Sequence, residues 1–543
     1  MTTFGIDLGT TYSCIAYVDS SGRPTVIKNP LTNEDTTPSV VWFESADNVV
    51  VGRDAKNAAK LFSGQVVSLI KRNMGEQLEL TYHGRNYTPE SISALILKDL
   101  AKSAEQATGE QVKDVVITVP AYFGAAEREA TRNAGRIAGL NVLRVVEEPV
   151  AAALHYDAVT TGADRTILVF DLGGGTFDTT VISLHGNEIT VICTDGDHHL
   201  GGADWDEKIV AYLLDEFLAA NPGSEAGDDD EFMQDLTNAA EELKKSLTTA
   251  QKRPHGMRFD GATARPELSR EKLQEITADL LVQVRSITER TLVTAKEKGV
   301  DRYDEVLLVG GSTKAPAIAE MLRREFGFAP RLHEPDLAVA KGAALYALIE
   351  SVKVMLPDGA DGAAAATATV SEEAATEVAD RLGISAEQVL KLASKKVTTV
   401  APRAFGVKLL ASVIESGDTF VIHHLIDANR KLPAGPLKET FQTPYENQTG
   451  IGIEVWEQAG SKKSADLADN RKIGNGFISD LPPLPKGSPV DVTFWMSDSG
   501  VLRVEALEPK TGRKLNMELQ ITGLTEQEVA RATDLVAKVG VGE

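Results

Sequence analysis

The chain has 543 residues, of which 42% are hydrophobic and 25% charged, a composition typical of folded globular proteins that excludes a disordered chain. This length exceeds what a single hydrophobic core organises, so at least two domains are predicted. The net charge of −23 and the isoelectric point near 4.9 argue against general binding to nucleic acids or to anionic membranes.

The two cysteines, Cys14 and Cys193, lie in apolar, strand-like contexts. A disulfide framework is therefore excluded, and buried, reduced thiols are expected. The N-terminal stretch MTTFGIDLGTTYS lacks the basic and apolar regions of a signal peptide, and no run of about 18 apolar residues occurs. We therefore expect a cytoplasmic protein without a membrane span.

Residues 1–350 alternate short β-branched runs with longer stretches that have the period of a helix. The strand-like runs include VVITV at 115–119, TILVF at 166–170 and EVLLVGG at 305–311. The helical stretches include residues 89–107 and 269–299. Such alternation predicts an α/β domain with largely buried sheets, and we place this first domain at residues 1–350.

The pattern changes in residues 351–396, which we interpret as a linker with an inserted pair of helices. Its first part, 356–370, is rich in Gly and Ala and predicts no regular structure. The residues that follow predict two short helices around Gly383, with Ser385 and Gln388 forming a capping box for the second helix.

Period-2 alternation then predicts a β-sandwich at residues 397–523, because short alternating runs are broken by turns such as ENQTG, PPLPKGSP and PKTG. The last residues, 524–543, predict a single short helix. The sequence therefore indicates an α/β domain, a helical insert, an all-β domain and a short helix in that order.

Residues 4–18 and 170–184 repeat one plan. FGIDLGTTYSCIAYV and FDLGGGTFDTTVISL each contain an apolar strand, an Asp-Leu pair, a glycine turn, a hydroxyl residue and a second strand. A duplicated half-domain with one such hairpin in each half would present two glycine turns across a cleft.

Glycine turns of this kind are typical of phosphate binding, because glycine lets successive N–H groups converge on an anion. Asp7, Asp171 and Asp178 flank these turns, and a carboxylate about 4 Å from a phosphate oxygen is repelled by roughly 4 kcal/mol. Mg²⁺ held through its water shell would remove this repulsion. A single copy of the motif is equally compatible with an ordinary hairpin, whereas two copies favour a polyphosphate site. Neither a P-loop nor a G-x-G-x-x-G helix start after the first strand is present.

These motifs resemble those of the 70-kilodalton heat-shock chaperone family, within the actin/hexokinase-like ATPase superfamily. The resemblance covers essentially all of residues 1–350, and a weaker match continues through 405–523. The motifs occur in family order: FGIDLGTTYS, VITVPAYFGAAEREATRNAGRIAGL, EEPVAAALHY, DLGGGTFD, GDHHLGGADWD, VLLVGGSTKAPAI and PDLAVAKGAALYAL. The implied fold is α/β: a two-lobed, actin-like ATPase domain with a duplicated half-domain and a central nucleotide cleft, then a small helical insert and a β-sandwich peptide-binding domain.

The resemblance implies that ATP or ADP binds the cleft together with Mg²⁺, and it assigns roles to individual residues. The implied catalytic residues are Lys71, Glu148, Asp171 and Thr176, and the metal is held through water by Asp7, Asp171 and Asp178. The implied phosphate contacts are Gly9, Thr10, Thr11, Tyr12, Gly173, Gly174 and Gly175. The implied nucleoside pocket consists of Gly201, Gly202, Glu241, Lys244, Lys245, Thr248, Gly310, Gly311, Ser312, Lys314 and Asp336. Hydrolysis of this kind proceeds by positioning and charge neutralisation, without a covalent protein intermediate.

Coupling and peptide binding are implied in the same way. Pro120 and Arg128 match the residues that relay nucleotide state to the second domain, a coupling commonly worth about 1–3 kcal/mol. The sandwich would bind an extended apolar peptide through main-chain hydrogen bonds and a central pocket. The pocket residues are Val407, Leu410, Phe441, Ile451 and Ile453, each of which is equally compatible with an ordinary sandwich core.

The nucleotide and peptide sites depart from the family pattern in several places. Lys245 and Lys314 stand where the family usually has arginine, and lysine cannot stack flat on a purine, so weaker adenine binding is expected. Pro444 and Tyr445 replace the small and acidic residues expected over the peptide. Extra residues around 413–420 lengthen an early hairpin.

The connections between domains depart from the pattern as well. KKVTTVAPRAFG stands in place of an acidic, leucine-rich linker, and we expect the helical lid to be absent, since only residues 524–543 follow the sandwich. The inserted pair, 371–396, superficially resembles a DNA-binding helix-turn-helix, but the acidic chain favours a packing or partner-docking hairpin. The histidine pairs 198–199 and 423–424 do not predict a metal site, because adjacent strand residues face opposite ways.

Three functions are compatible with these features. The first is an ATP-hydrolysing chaperone for unfolded or extended segments, working with a J-domain co-chaperone and possibly a nucleotide-exchange factor, with neither nucleic acid nor membrane as partner. The second is a nucleotide-switched adaptor for one dedicated partner, which the altered linker and Pro444 favour somewhat. The third, a small-molecule kinase, is disfavoured by the peptide-domain signals at 405–523.

Overall fold

The structure is a computed structural model that describes residues 2–160, 164–356, 371–414, 417–460, 463–519 and 524–542. The stretch predicted to lack regular structure, 356–370, lies outside these residues except for its first position. Residues 415 and 416, in the hairpin that we expect to be lengthened, lie outside them too.

The first part of the chain forms one lobe of an α/β unit. Its strands are β1 (Phe4–Asp7), β2 (Tyr12–Val18), β3 (Pro24–Val26), β4 (Thr37–Pro38), β5 (Val41–Trp42), β6 (Asn48–Val51), β7 (Val66–Val67), β8 (Leu80–Tyr82), β9 (Arg85–Tyr87), β10 (Asp114–Val119) and β11 (Asn141–Glu147). Its helices are α1 (Arg53–Ala58), α2 (Pro89–Thr108), α3 (Ala125–Ile137) and α4 (Glu148–Val159). Thr88 and Ser91 form a reciprocal capping box that begins α2.

The second lobe follows in the chain. Its strands are β12 (Arg165–Leu172), β13 (Phe177–His185), β14 (Glu188–Asp197), β15 (Lys252–Pro254), β16 (Met257–Phe259), β17 (Ala262–Ala264), β18 (Glu267–Ser269), β19 (Glu305–Val309) and β20 (Arg331–Leu332). Its helices are α5 (Gly202–Ala220), α6 (Asp230–Ser246), α7 (Arg270–Ile276), α8 (Ala278–Glu297), α9 (Pro316–Phe326) and α10 (Ala338–Met355).

The two lobes are built on equivalent sheets, as the internal repeat predicts. In the first lobe β1 pairs parallel with β10 and antiparallel with β2, in the order β11-β10-β1-β2-β3. In the second lobe β12 pairs parallel with β19 and antiparallel with β13, in the order β20-β19-β12-β13-β14. Each repeated hairpin thus lies at the centre of its own sheet, with its turn at the end of the central strand.

Helices α4 and α10 pack between the lobes, and their small residues explain why they approach so closely. A Cβ atom added at Gly342 of α10 would lie 1.8 Å from the carbonyl oxygen of Ala151 of α4. A Cβ atom added at Gly5 of β1 would lie 2.0 Å from the backbone nitrogen of Ala344. The alanine-rich runs EEPVAAALHY and AKGAALYAL therefore allow backbone-to-backbone contact at the lobe junction.

The inserted pair of helices is present as predicted. Its elements are α11 (Glu372–Leu382) and α12 (Ala386–Ala393), followed by strand β21 (Lys396–Thr398), which pairs parallel with β14. Ser385 and Gln388 form the predicted capping box, with the Gln388 N–H donating to Ser385 Oγ at 3.1 Å. Val378 and Val389 bury their side chains against Val352 of α10, so the pair packs as a helical hairpin on the second lobe.

An all-β unit follows, and its strands form two four-stranded antiparallel sheets. The strands are β22 (Phe405–Ile414), β23 (Gly417–Ile426), β24 (Ala434–Gln442), β25 (Ile451–Gln458), β26 (Asn470–Ile478), β27 (Pro489–Met496), β28 (Leu502–Glu508) and β29 (Arg513–Leu519). Their orders are β23-β22-β25-β26 and β24-β27-β28-β29. Phe405, Val455 and Phe494 are buried between the sheets, and this sandwich confirms the predicted fold class.

The predicted C-terminal helix is α13 (Glu526–Ala537), but a strand that the sequence did not predict follows it. This strand, β30 (Gly540–Val541), pairs parallel with β6 of the first lobe. Among the described residues, the structure contains no helix of the length and apolar character needed to cross a bilayer.

Candidate functional site

A deep cleft of about 1060 Å³ separates the two lobes, and both repeated hairpin turns open into it. Most residues implicated by the sequence line this cleft: Asp7, Gly9, Thr10, Thr11, Tyr12, Lys71, Glu148, Asp171, Gly173, Gly174, Thr176, Gly202, Glu241, Lys244, Lys245, Thr248, Gly310, Gly311, Ser312, Lys314 and Asp336. Gly175, Gly201 and Asp178 are buried and do not line the cleft.

The two glycine turns face each other in direct contact. A Cβ atom added at Gly174 would lie 2.1 Å from Thr11 Oγ1, and one added at Gly175 would lie 2.3 Å from Thr10 Cγ2. Only glycine at these two positions lets the turns approach this closely. A ligand between the lobes would therefore meet both turns at once.

The carbonyl groups of the second turn, 173–175, are held by donors outside the turn. The Gly202 N–H and Ser312 Oγ donate to the Gly173 oxygen, at 3.0 and 2.8 Å. The Ala203 N–H donates to the Gly174 oxygen at 2.8 Å. These bonds fix the peptide planes of the turn, which is what an anion-binding backbone requires.

Arg72 completes this support, and the sequence alone did not identify it. Its Nε donates to the Gly175 oxygen at 3.2 Å, and its Nη2 donates to Asp204 Oδ2 at 2.6 Å. Asp204 also accepts from the Gly201 N–H at 2.6 Å. Arg72 follows Lys71 directly in IKRNMG, so one short 3₁₀ helix, Ile70–Asn73, supplies both cations to the cleft. The position of Arg72 next to Lys71 in the sequence was the one signal that could have identified it.

Four carboxylates and one lysine converge at the base of the cleft. Lys71 Nζ donates to Glu148 Oε1 at 2.6 Å, and the two residues are 4% and 7% exposed. Asp171 and Asp178 are buried beside this pair, and Asp7 is half-buried. Burial, and after it the charge of Glu148, raises the pKa of Asp7 to about 7 and that of Asp178 to about 8. The same two causes raise the pKa of Asp171 well above its ordinary value.

The charge balance of this cluster fits a divalent cation. Four acidic groups face a single lysine, so full ionisation needs additional positive charge nearby. Within the described part of the chain, no three His, Cys, Asp or Glu side chains lie close enough together to bind a metal ion directly. That spacing is compatible with carboxylates that contact Mg²⁺ through its retained waters.

The outer end of the cleft carries a second polar cluster that spans the lobes. The Tyr12 hydroxyl donates to Glu241 Oε1 at 2.8 Å, and Lys245 Nζ donates to the Tyr12 hydroxyl at 2.9 Å. Lys56 also pairs with Glu241 from the first lobe, a contact that the sequence did not suggest. Lys244 Nζ donates to Asp206 Oδ2 at 2.7 Å.

The two lysines that replace the family's arginines already have partners at this end of the cleft. Lys245 Nζ lies 4.6 Å from the centre of the Tyr12 ring, and Lys314 pairs with Asp336. Thr248, in the turn that follows α6, donates its hydroxyl to the Lys245 carbonyl. A nucleotide base that binds here would contact the alkyl chains of these lysines and the carboxylates paired with them.

Arg128 holds the loop that connects the cleft to the sandwich, and this loop begins at Pro120, directly after β10. Arg128 Nε donates to the Phe123 oxygen at 3.0 Å, and Arg128 Nη1 pairs with Glu147 Oε1 at 3.0 Å. Within the loop, the Tyr122 hydroxyl donates to the Gly460 oxygen of the sandwich at 2.9 Å. The implied relay residues therefore lie at a contact between the two domains.

The five candidate peptide residues divide into two groups. Val407, Ile451 and Ile453 are buried between the two sheets, and Phe441 packs partly against the same core. Leu410 lies on the opposite face of β22, because its neighbour Leu409 packs against the core and side chains alternate along a strand. The structure thus brings four of the candidates together and places Leu410 apart from them.

The histidine pairs do not form a metal site among the described residues. His423 and His424 lie on β23 and contact different groups, Glu439 and Asn470. The strand geometry that we expect for the first pair is wrong, because His198 and His199 follow the end of β14 and their rings pack 4.4 Å apart. The rings of this pair therefore contact each other, with an angle of 48° between their planes.

Comparison with known families gives one match of high coverage. The family model described as "Hsp70 protein" matches residues 3–359 and 392–539. The match thus covers both lobes, the sandwich and α13. The unmatched stretch between the two ranges contains α11 and most of α12.

Proposed function

The chain belongs to the Hsp70 family of ATP-hydrolysing chaperones, and on that premise we propose that it hydrolyses ATP, with Mg²⁺, to control the binding of extended apolar segments. We propose the division into a nucleotide-binding domain at 1–350, a linker with the helical pair at 351–396, a sandwich at 397–523 and a C-terminal helix at 524–543. A cytoplasmic location, a J-domain co-chaperone and a nucleotide-exchange factor are part of the same proposal.

The single observation that carries nucleotide hydrolysis is the contact between the two glycine turns above the carboxylate cluster. Backbone N–H groups of 9–12 and 174–176 would bind the phosphates of ATP from both lobes. Mg²⁺ held through water by Asp7, Asp171 and Asp178 would neutralise phosphate charge. In this arrangement Lys71 would bind the terminal phosphate and the attacking water, Glu148 would orient that water, and Thr176 would donate its hydroxyl to the same phosphate.

Peptide binding is supported by a gap in the first sheet of the sandwich. Residues 405–407 of β22 pair with 455–457 of β25, and the described pairing between these two strands stops there. Beyond these pairs, residues 408–410 of β22 and 451–454 of β25 are not paired with each other among the described residues. An extended segment inserted in this gap would gain main-chain hydrogen bonds from both strands. Val407, Ile451 and Ile453 lie at its buried side, with Phe441 behind them.

One experiment tests hydrolysis. The full chain with Mg-ATP is expected to release ADP and free phosphate, whereas Lys71→Ala is expected to lose at least about 100-fold in turnover. Lys113→Ala, which alters an exposed lysine of the first lobe, is the matched control and keeps wild-type turnover. A phosphorylated small molecule in place of free phosphate would indicate a kinase, and unchanged turnover in Lys71→Ala would refute the assigned site.

A second experiment tests peptide binding. A fluorescent apolar peptide is expected to bind, and to dissociate faster when ATP is added. The same peptide with N-methylated backbone amides keeps its side chains but loses donors, so its affinity is expected to fall by at least about tenfold. Equal affinity of the two peptides would show that the gap does not bind an inserted strand.

The dedicated adaptor remains the second candidate, because the side chains that would form a peptide pocket are closed into the core. Val407 and Ile451 are 3% and 6% exposed, so a general client must first open the sandwich. For an adaptor, apolar peptides of varied sequence would fail to bind or would bind without response to ATP. That result, combined with normal ATP hydrolysis, would favour the adaptor over the chaperone.

A further inference from the structure

We propose that residues 524–542 act as an intramolecular strap that keeps the sandwich docked on the first lobe in every nucleotide state. The strap consists of α13 and β30, which leave the sandwich after β29 and pack on α2, α3 and β6 of the first lobe. This inference concerns the arrangement of the two domains and does not depend on ATP hydrolysis.

The strap shares the hydrophobic core of the first lobe. Val529 and Val536 of α13 belong to the same buried cluster as Ile92 of α2 and Ala134 of α3. Val539 and Val541, which follow the helix, are 1% and 3% exposed. Apolar side chains buried to this degree resist separation, because release would expose all of them to water.

The end of the strap is held by the pairing of β30 with β6. The Gly540 N–H donates to the Asp47 oxygen at 2.9 Å, and the Gly542 N–H donates to the Val49 oxygen at 3.1 Å. β30 thereby becomes the edge strand of the small sheet β30-β6-β5-β7. Main-chain pairing of this kind fixes both register and direction of the segment.

Two lysines of α2 bind carbonyl groups at the end of α13 and in the residues that follow it. Lys98 Nζ donates to the oxygens of Val536 and Val539, each at 2.9 Å. Lys102 Nζ donates to the oxygen of Val541 at 3.0 Å. Cations at the carbonyl end of α13 also complement its dipole. The helix end and the strand are therefore both anchored to one face of α2.

The partners of the strap are separate from the nucleotide cleft. Asp47, Val49, Lys98 and Lys102 lie away from the residues that line it. A ligand changes a conformational equilibrium only through contacts that differ between the two states. Nucleotide exchange therefore has no direct contact through which to release the strap.

A short connection transmits this anchoring to the sandwich. Six residues, 520–525, separate the end of β29 from the start of α13. A chain of that length spans at most about 20 Å even when fully extended. While the strap is docked, the second sheet of the sandwich cannot move further than this from the first lobe.

Small-angle X-ray scattering on the full chain tests the strap. We expect the same radius of gyration without nucleotide, with ADP and with ATP. A variant that lacks 539–543 keeps α13 but loses β30, and it is expected to expand in at least one of these states. Adding a peptide of residues 524–543 in trans is not expected to reverse that expansion, because the peptide is not joined to the sandwich. Expansion of the wild type with ADP, or a truncated chain as compact as the wild type in every state, would overturn the proposal.

Hydrogen exchange keeps the proposal testable if the truncated chain does not fold. In the wild type, the amides of Gly540 and Gly542 are expected to exchange at least about tenfold more slowly than unprotected amides in all three states. Fast exchange at both amides in any one state would contradict a permanent strap. Because neither measurement needs turnover, a chain that binds no nucleotide would refute the proposed function and leave the strap still tested in the apo state.

Discussion

The carboxylate of Asp178 accepts a hydrogen bond from the backbone N–H of Tyr122 at 3.1 Å, while the side chain of Tyr122 contacts the other domain. Asp178 belongs to the acidic cluster at the base of the cleft, and the Tyr122 hydroxyl donates to the Gly460 oxygen in the sandwich. One residue thus joins the proposed metal site to the sandwich through two consecutive hydrogen bonds.

Removing the hydroxyl group should weaken this connection without disturbing the cleft. Tyr122→Phe is expected to keep ATP turnover near the wild-type value while reducing the effect of ATP on peptide release, because one hydrogen bond contributes about 1 kcal/mol. Stopped-flow release of a fluorescent peptide measures the effect, with Tyr303→Phe on the second lobe as the matched control. An unchanged ATP response in Tyr122→Phe would exclude this route.

Arg72 is expected to position the second glycine turn for phosphate binding. Arg72→Ala should weaken ATP binding by about 10- to 100-fold, because it removes charge-assisted bonds to Asp204 and to the Gly175 carbonyl. Adenosine, which lacks phosphates, should bind the variant and the wild type equally. Isothermal titration calorimetry with both ligands separates these outcomes, and equal losses for ATP and adenosine would indicate general damage to the cleft.

A buried charge cluster joins α3 to the sandwich, and it should respond strongly to single substitutions. Arg471 Nη2 lies 2.9 Å from Glu457 Oε2 and 3.2 Å from Glu127 Oε2, and Arg403 lies 3.8 Å from an oxygen of each carboxylate. Glu457 is fully buried. Arg403→Met should therefore destabilise the chain by about 3–5 kcal/mol, because it leaves buried carboxylates short of positive charge.

The matched variant for this cluster removes charge of both signs. Arg403→Met combined with Glu457→Gln restores the charge balance, so it should recover part of the stability lost in the single variant. Urea denaturation followed by tryptophan fluorescence measures both. Additive losses in the double variant would mean that Arg403 and Glu457 do not interact energetically.

Asp99 of α2 should make docking of the strap depend on pH. It lies against Gly542, and one of its carboxylate oxygens has no hydrogen-bond partner among the described residues. Burial raises its pKa to about 6 against the opposing charge of Lys102. The docked state thus binds a proton more tightly than the released state, whose carboxyl has an ordinary pKa near 4. Docking is strongest below about pH 4 and weakens as the pH rises through 6.

Asp99→Asn should remove this pH dependence and strengthen docking at pH 7 by about 1–3 kcal/mol. Hydrogen exchange of the Gly540 amide between pH 5 and 7, corrected for intrinsic exchange rates, measures the effect. Asp114→Asn, at the start of β10, serves as the control. A corrected protection factor that stays constant with pH in the wild type would show that Asp99 is ionised when the strap is docked.

The repeat of Asp, Leu and glycine was enough to predict the lobes and the position of their turns. Local patterns carry this information, because strand, turn and strand lie within fifteen residues in each copy. The helical pair was predictable for the same reason, since Ser385 and Gln388 are three residues apart in the chain.

Long-range partners were not predictable from such patterns. Arg72 meets Gly175 and Asp204, and Lys98 meets Val539, only after distant parts of the chain have folded together. β30 is two residues long and follows a helix, so it is too short to show the alternation of apolar and polar residues by which a strand is predicted. The opposite orientation of Leu410 depends on strand register, and one residue of register reverses the face that a side chain occupies.

The contact between Gly342 and the Ala151 carbonyl has a mechanical consequence for the cleft. Because no side chain lies between α4 and α10 at this point, their backbones are already in contact and the two helices cannot move closer together. Opening should therefore be a rotation about this line of small residues, so that a slight angular change there produces a large displacement at Tyr12 and Glu241, on the far rim.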